Sequence, residues 1–426
     1  MSVRVNVTQS PVRRRVSART ALRMWLAVAG PGLVVMLADT DAGSLITAAQ
    51  SGATWGYALL SVQIILIPVV FIVQELTVRL GLVTGMGHGE LIRQRFGIGW
   101  AWLSVSTLVI ACAGAIVTEM SGIAGVGLLW GVRPIVSVLA VTVFLVTIVV
   151  TGNYRRVERV ALAFGMFELV FLVTMVMAGP NAGQLGRGLL TAPVTNSGYL
   201  FLVAANIGAV IMPWMVFYQQ SAVVDKGLTP IHLRSARLDT GIGAVVTQLI
   251  MIGMLITVAA TLWAHHEHGQ GLDTVQQISD ALTPYLGQFA GRALFSLGMV
   301  GAALIAAIVA SLTAAWGIGE VTGYKRSLEN RPSEAPWFYV VYVVVVAAGA
   351  VIVLSGVNLI QLNLSVQVMN ALLLPIVLTF LYLLARRALP DPYRLTGRYR
   401  WVVLVVIIAT ATLGVYSAAI GIIGLG

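Results

Sequence analysis

Two stretches of this chain place cation-binding chemistry inside apolar runs. In the first, Ala38-Asp39-Thr40-Asp41-Ala42-Gly43-Ser44 sets two carboxylates two positions apart, with a hydroxyl at Ser44. Ionisable side chains at the centre of a membrane helix are costly unless compensated, and mark function by default. Basic residues are scarce nearby, so pairing of both acids inside the bundle is the weaker reading. The stronger one is a cation site: Asp39 and Asp41 supply charge, Ser44 a hydroxyl, and the interrupted helix its freed carbonyl oxygens. Such oxygen-rich sets suit hard divalent cations. In the second stretch, Asn206-Ile207-Gly208-Ala209-Val210-Ile211-Met212-Pro213-Trp214, Pro213 has no N–H to donate. The carbonyl four residues earlier, on Ala209, is therefore left free. Met212 adds a thioether, a soft ligand that favours Mn²⁺, Fe²⁺ or Cd²⁺ over Mg²⁺ and Ca²⁺.

These stretches need a membrane scaffold, and the composition demands one. The chain has 426 residues, 58% of them hydrophobic and only 10% charged, with a mean hydropathy of +0.92. Water cannot solvate that balance, so most of the surface faces lipid. Eleven apolar segments qualify as spans, at about 25–50, 54–80, 100–129, 134–152, 158–179, 197–224, 240–264, 288–318, 336–356, 359–385 and 401–424. Gly87 to Phe96 reads as a short amphipathic surface helix. No segment alternates as a barrel strand does. With the N-terminus inside, 23 of the 26 Lys and Arg fall on the cytoplasmic side, and only Arg133, Arg187 and Arg292 lie outside. This asymmetry supports eleven helices in the cell membrane, N-terminus cytoplasmic and C-terminus outside. The net charge of +10 therefore reports topology and not nucleic-acid binding. The basic residues 1–24 read as a cytoplasmic tail without a signal-peptide cleavage site. Cys112 alone can form neither an internal disulfide nor a multi-cysteine metal site.

The interrupted segments are the first and the sixth. Five positions apart, they open two five-helix blocks, at about 25–179 and 197–385 within a core of 25–395. The helix at 396–426 lies outside them. Matching interruptions in two halves point to the binding site of an inverted-repeat transporter.

Gly30-Pro31-Gly32, Asp41-Ala42-Gly43-Ser44, Gly56-Tyr57 and Arg79-Leu80-Gly81-Leu82-Val83-Thr84-Gly85 resemble the first two helices of the Nramp divalent metal transporters. Gly208 to Pro213 and Tyr218 to Ala222 resemble their sixth helix. The resemblance implies an all-α, LeuT-type fold of two inverted five-helix repeats with broken helices 1 and 6. It also implies a metal held by Asp41, the Ala209 carbonyl and Met212. Departures accompany it. The family's Asp-Pro-Gly-Asn is here Asp41-Ala42-Gly43-Ser44. Its Met-Pro-His is Met212-Pro213-Trp214, which removes a histidine associated with proton movement. Asp39 is an additional acid. Divergent Nramp-related proteins that carry Mg²⁺ as well as Mn²⁺ are similar in this respect.

Other polar residues fall within spans. Glu119 resembles an acid on the family's proton route. Gln367 and Asn370, three apart on one face, are expected to line the site with Trp214. Glu75 and Arg79, one turn apart, form an ion pair, and Glu168 has no evident partner. His265-His266-Glu267-His268 falls in an outer loop and does not match the His-Glu-x-x-His of a zinc protease. The expectation is a secondary transporter of Mn²⁺ or Mg²⁺, with Fe²⁺ as a further candidate, working by alternating access without a resident cofactor and without enzymatic activity. The alternative is an amino-acid or amine carrier of the same fold.

Overall fold

The computed structural model describes residues 31–151, 154–264, 271–328, 330–356 and 358–425. The basic tail and His265 to His268 lie outside them. The described residues contain no strand and are almost wholly helical. Ten helices are long and apolar enough to cross a membrane. An eleventh span is the pair Pro31–Asp39 and Ala42–Trp55, which meet at a 46° bend.

The bend has a local cause. Asp41 takes extended backbone and caps Ala42–Trp55, accepting the Ser44 N–H at Oδ1 over 2.6 Å. A side chain that satisfies an orphan N–H in this way starts a new helix and ends the old one. In the sixth span, Ser197–Val210 ends at Ile211, and Pro213–Asp225 begins with Met212 as its cap. Proline is favoured at that first helical position because its missing N–H would have no partner there.

The two broken spans pack on one another. Pro31–Asp39 lies against Pro213–Asp225, and Ala42–Trp55 lies against Ser197–Val210. Each half of one broken span thus meets the opposite half of the other. The tenth span, Leu359–Arg387, contacts both broken spans, and the eleventh, Gly397–Leu425, packs on the sixth and tenth. The sixth span is buried nearly throughout, whereas the fourth, ninth and eleventh turn Val143, Val351 and Ile423 outward. That is the division between a protein-lined interior and a lipid face.

Several boundaries differ from the sequence reading. The first span continues to Trp55 because Gln50 and Ser51 point into the protein. Gln50 accepts the Leu272 N–H and Ser51 accepts from Asn206. The chain then turns at Gly56, whose φ of 57° suits glycine. The seventh span starts seven residues early, at Leu233. Its polar first turns are useful ones: Asp239 accepts the N–H groups of Gly32 (2.9 Å) and Leu33 (3.2 Å), capping the first half-helix. The short helix His88–Phe96 is amphipathic as expected, but His88, Gly89, Leu91 and Ile92 are buried in protein. It packs on the third and eighth spans.

Candidate functional site

The two breaks meet. Ser44 Oγ donates to the carbonyl oxygen of Ala209 over 3.0 Å, joining the first span to the sixth. That carbonyl is the one Pro213 leaves without a helical donor. Asp41 spends Oδ1 on the helix cap, while Oδ2 receives no donor. Met212 is fully buried at the start of the second half-helix. Asp41, Ser44, Ala209 and Met212 thus occupy two helix ends that abut through one hydrogen bond.

Acids from neighbouring spans grip the first break. From the third span, Glu119 accepts the Ala42 N–H over 3.0 Å and the Thr118 hydroxyl over 3.0 Å, and its carboxyl faces Asp41. From the fifth, Glu168 accepts the hydroxyl of Thr40. Asp39, 1% exposed, has no partner at either oxygen, and its acidic neighbours are Asp41 and Glu168. None of these four carboxyl groups forms an ion pair with a Lys or Arg among the described residues. Repulsion between such groups in a dry interior is severe unless protons or cations intervene.

The tenth span closes the site. Gln367 lies so near both broken spans that a Cβ on Gly43 would strike its side chain, and one on Gly208 its carbonyl. Glycine at both positions is what permits this approach. Asn370 Nδ2 donates to Gln367 Oε1 over 3.0 Å, leaving Gln367 Nε2 and Asn370 Oδ1 without partners. Asn363 donates to Ser121 of the third span over 2.5 Å. Trp214 is buried directly after the break, with no acceptor for its indole N–H. Asp39, Asp41, Ser44, Ala209, Met212, Trp214, Glu119, Gln367 and Asn370 are all 0–1% exposed, so the region is closed from both ends.

Some participants had little or no sequence signal. Glu168 stood out only as an acid in an apolar run, with its partner hidden. Asn206 bridges Gln63 (2.5 Å) and Ser51 (2.9 Å), tying the sixth span to the second and the first. A second polar cluster lies at the basic end of the bundle. There Glu320 accepts from Ser221 (2.5 Å) and the Gly89 N–H (2.7 Å). His88 Nδ1 donates to Gln220 Oε1 over 2.9 Å, and burial pushes the imidazole down to about 4. Glu75, foreseen as the partner of Arg79 (2.6 Å), also holds Arg237 (2.6 Å).

Two discontinuous helices facing one another within paired repeats define a class, the LeuT-type membrane proteins. Known structures of low sequence identity agree on the fold. The Eremococcus coleocola manganese transporter superposes with a TM-score of 0.76 at 18% identity, covering 96% of this chain and 90% of that one. MhsT in complex with L-phenylalanine superposes at 0.63 and 13% identity, covering 92% and 98%. The profile described as "Natural resistance-associated macrophage protein-like" (Nramp) matches residues 32–419. This chain belongs to the Nramp family. The "Divalent metal cation transporter MntH" of Yersinia enterocolitica is 29% identical over 301 residues, 69% of this chain and 73% of that protein. The protein of the same name in Aeromonas hydrophila is 28% identical over 304 residues, 70% and 74%.

Proposed function

We propose that this protein carries divalent metal cations across its membrane by alternating access, holding the ion between the two breaks. The observation that carries this reading is the Ser44–Ala209 contact beside the donor-free oxygen of Asp41. A cation entering there meets one formal charge, a hydroxyl, a freed carbonyl and, from Met212, a thioether. Family membership and relatives named as divalent metal cation transporters support the same reading. No group of three or more His, Cys, Asp or Glu side chains converges among the described residues. The proposed set therefore rests on mixed neutral donors around a single carboxylate.

That composition sets selectivity. Asp41, Ser44 and the Ala209 carbonyl are hard oxygens that accept Mg²⁺ as well as Mn²⁺. Met212 adds affinity only for the softer ions. Gln367 and Asn370 orient the ion or its remaining water through their unpaired amide atoms. Glu119 faces Asp41, and two facing carboxyl groups need a proton or a cation between them. Ion arrival at Asp41 then displaces a proton toward Glu119, which offers a route without the family's histidine, here replaced by Trp214.

Transport requires the closed site to open to each side in turn. The half-helices are the moving parts, because each repeat pairs with the opposite half of the other. The positive-inside asymmetry orients the N-terminus to the cytoplasm and the C-terminus outward in the cell membrane.

An organic carrier of the same fold is the second reading, since MhsT in complex with L-phenylalanine shares the fold. Four carboxyl groups at the first break, none ion-paired with a Lys or Arg among the described residues, disfavour a substrate carboxylate, so the metal reading is preferred. Uptake by proteoliposomes separates the two. Saturable Mn²⁺ and Mg²⁺ uptake without amino-acid uptake supports the proposal, and the reverse pattern sinks it.

A further inference from the structure

A groove on the lipid face, away from the two breaks, has the build of a binding site. It runs between the second span, Leu60–Thr84, and the seventh, Leu233–Val258, which pack on one another. Its volume is about 840 Å³, within the range of roughly 300–1,000 Å³ that holds an organic ligand. Phe71 lines it from the second span, and Leu238, Ile242 and Val245 line it from the seventh. Those three are 54%, 48% and 45% exposed, so the groove lies open to lipid. Gly241 makes the hollow. It stands one turn after Arg237 and one turn before Val245, on the same helix face, and presents no side chain there. Close packing does not demand a glycine at this point: a Cβ would rest in ordinary contact with the Phe71 ring, at 3.4 Å.

One end of the groove is basic. Arg234 and Arg237 line it there, three residues apart in the first turns of the seventh span. Glu75 is shared: Arg79 and Arg237 each reach it at 2.6 Å. One carboxylate offsets only one of those two guanidinium charges. The Arg79 side chain is 8% exposed and that of Arg237 42%, so the surplus charge lies outward, toward the groove. Arg234 is exposed and forms no ion pair with an acid among the described residues. Basic groups at the mouth of an apolar cleft between spans suit a negative lipid headgroup, and guanidinium matches phosphate oxygens in pairs. We propose that this groove binds one anionic phospholipid from the leaflet at the basic end, its phosphate on Arg234 and Arg237 and an acyl chain beside Gly241 and Phe71. A neutral lipid would fill the hollow and leave the surplus charge unmet. The site adjoins the first half-helix, because Asp239, two residues beyond Arg237, accepts the N–H groups of Gly32 and Leu33.

Lipid titration of the purified full-length protein in a neutral detergent, read by native mass spectrometry, tests this. The probes are dioleoyl phosphatidylglycerol, dioleoyl phosphatidylcholine and inorganic phosphate. Phosphatidylglycerol is expected to bind about 10- to 30-fold more tightly than phosphatidylcholine, from roughly 5-fold per arginine. Arg234→Gln should weaken phosphatidylglycerol about 5-fold and leave phosphatidylcholine unchanged, and Arg234→Lys should restore most of the loss. Gly241→Leu fills the hollow without altering either arginine, and should weaken phosphatidylglycerol about 10-fold or more. Inorganic phosphate should fail to displace the lipid, since it lacks the chain. Equal affinity for the two lipids in the wild type overturns the proposal, because the groove is then unselective lipid-facing surface. A preference for phosphatidylglycerol that survives Arg234→Gln undiminished also overturns it, by placing the lipid elsewhere. Displacement by inorganic phosphate overturns the lipid as the occupant. Should Gly241→Leu fail to fold, judged by thermal melting, the two Arg234 variants decide the matter.

Discussion

The two breaks solve one problem with opposite chemistry. The first is charged and capped: Asp41 folds its carboxylate back onto the Ser44 N–H, and Glu119 and Glu168 hold the flanking residues Ala42 and Thr40. The sixth is neutral: Pro213 forces the interruption, and what it exposes is a carbonyl and a thioether. A side-chain cap makes a break that depends on charge, whereas a proline makes one that does not. On this account the first break supplies affinity and responds to the ion, and the sixth supplies a fixed surface that discriminates among ions.

Asp41→Ala should have the largest effect. It removes both the formal charge and the helix cap, and uptake of every divalent ion should fall by about 100-fold or more, equivalent to about 2.7 kcal/mol. Retained uptake in reconstituted vesicles would dissolve the distinction between the breaks. Met212→Ala should act selectively, weakening Cd²⁺ and Mn²⁺ about 10-fold while changing Mg²⁺ by less than about 3-fold. Equal losses would assign the sixth break a purely structural role. Ser44→Ala, read by competition for uptake, should cost about 3- to 5-fold for all ions alike, because it removes one neutral oxygen. An ion-specific loss would move discrimination to the first break.

The effect on transport is smallest at the basic end, where the consequence falls on stability instead. His88 is buried neutral, with its imidazole near 4 against an ordinary 6.5. The unfolded chain therefore binds the proton first. His88 costs nothing above pH 6.5, and stability falls as pH drops from 6.5 toward 4, by about 3 kcal/mol at most. Melting in detergent should show this slope shrinking in His88→Gln, with uptake at neutral pH little changed. An unaltered slope would place the acid sensitivity elsewhere.

Much of the comparison was legible in the chain itself. Asp39 and Asp41 in an apolar run, and Pro213 beside Met212, announce interruptions because lipid tolerates neither charge nor broken backbone without cause. Their spacing of five spans discloses the repeat. The partners of the breaks were less visible. Glu168 is 128 residues from Thr40, and nothing in local periodicity links them. The Asn206–Gln63–Ser51 contact depends on where three helices cross. Span ends shifted for a related reason. Ser51 and Asp239 look like loop residues by polarity, but each turns inward to satisfy a backbone or side-chain group.

The central claim is that a metal ion sits where the two breaks meet. Anomalous diffraction from crystals soaked with Mn²⁺ tests it without recourse to activity. The account predicts a peak bounded by the Asp41 carboxylate, the Ala209 carbonyl oxygen and the Met212 sulfur, absent in Asp41→Ala. A peak at full occupancy elsewhere in the bundle, with none between Asp41 and Met212, would contradict it.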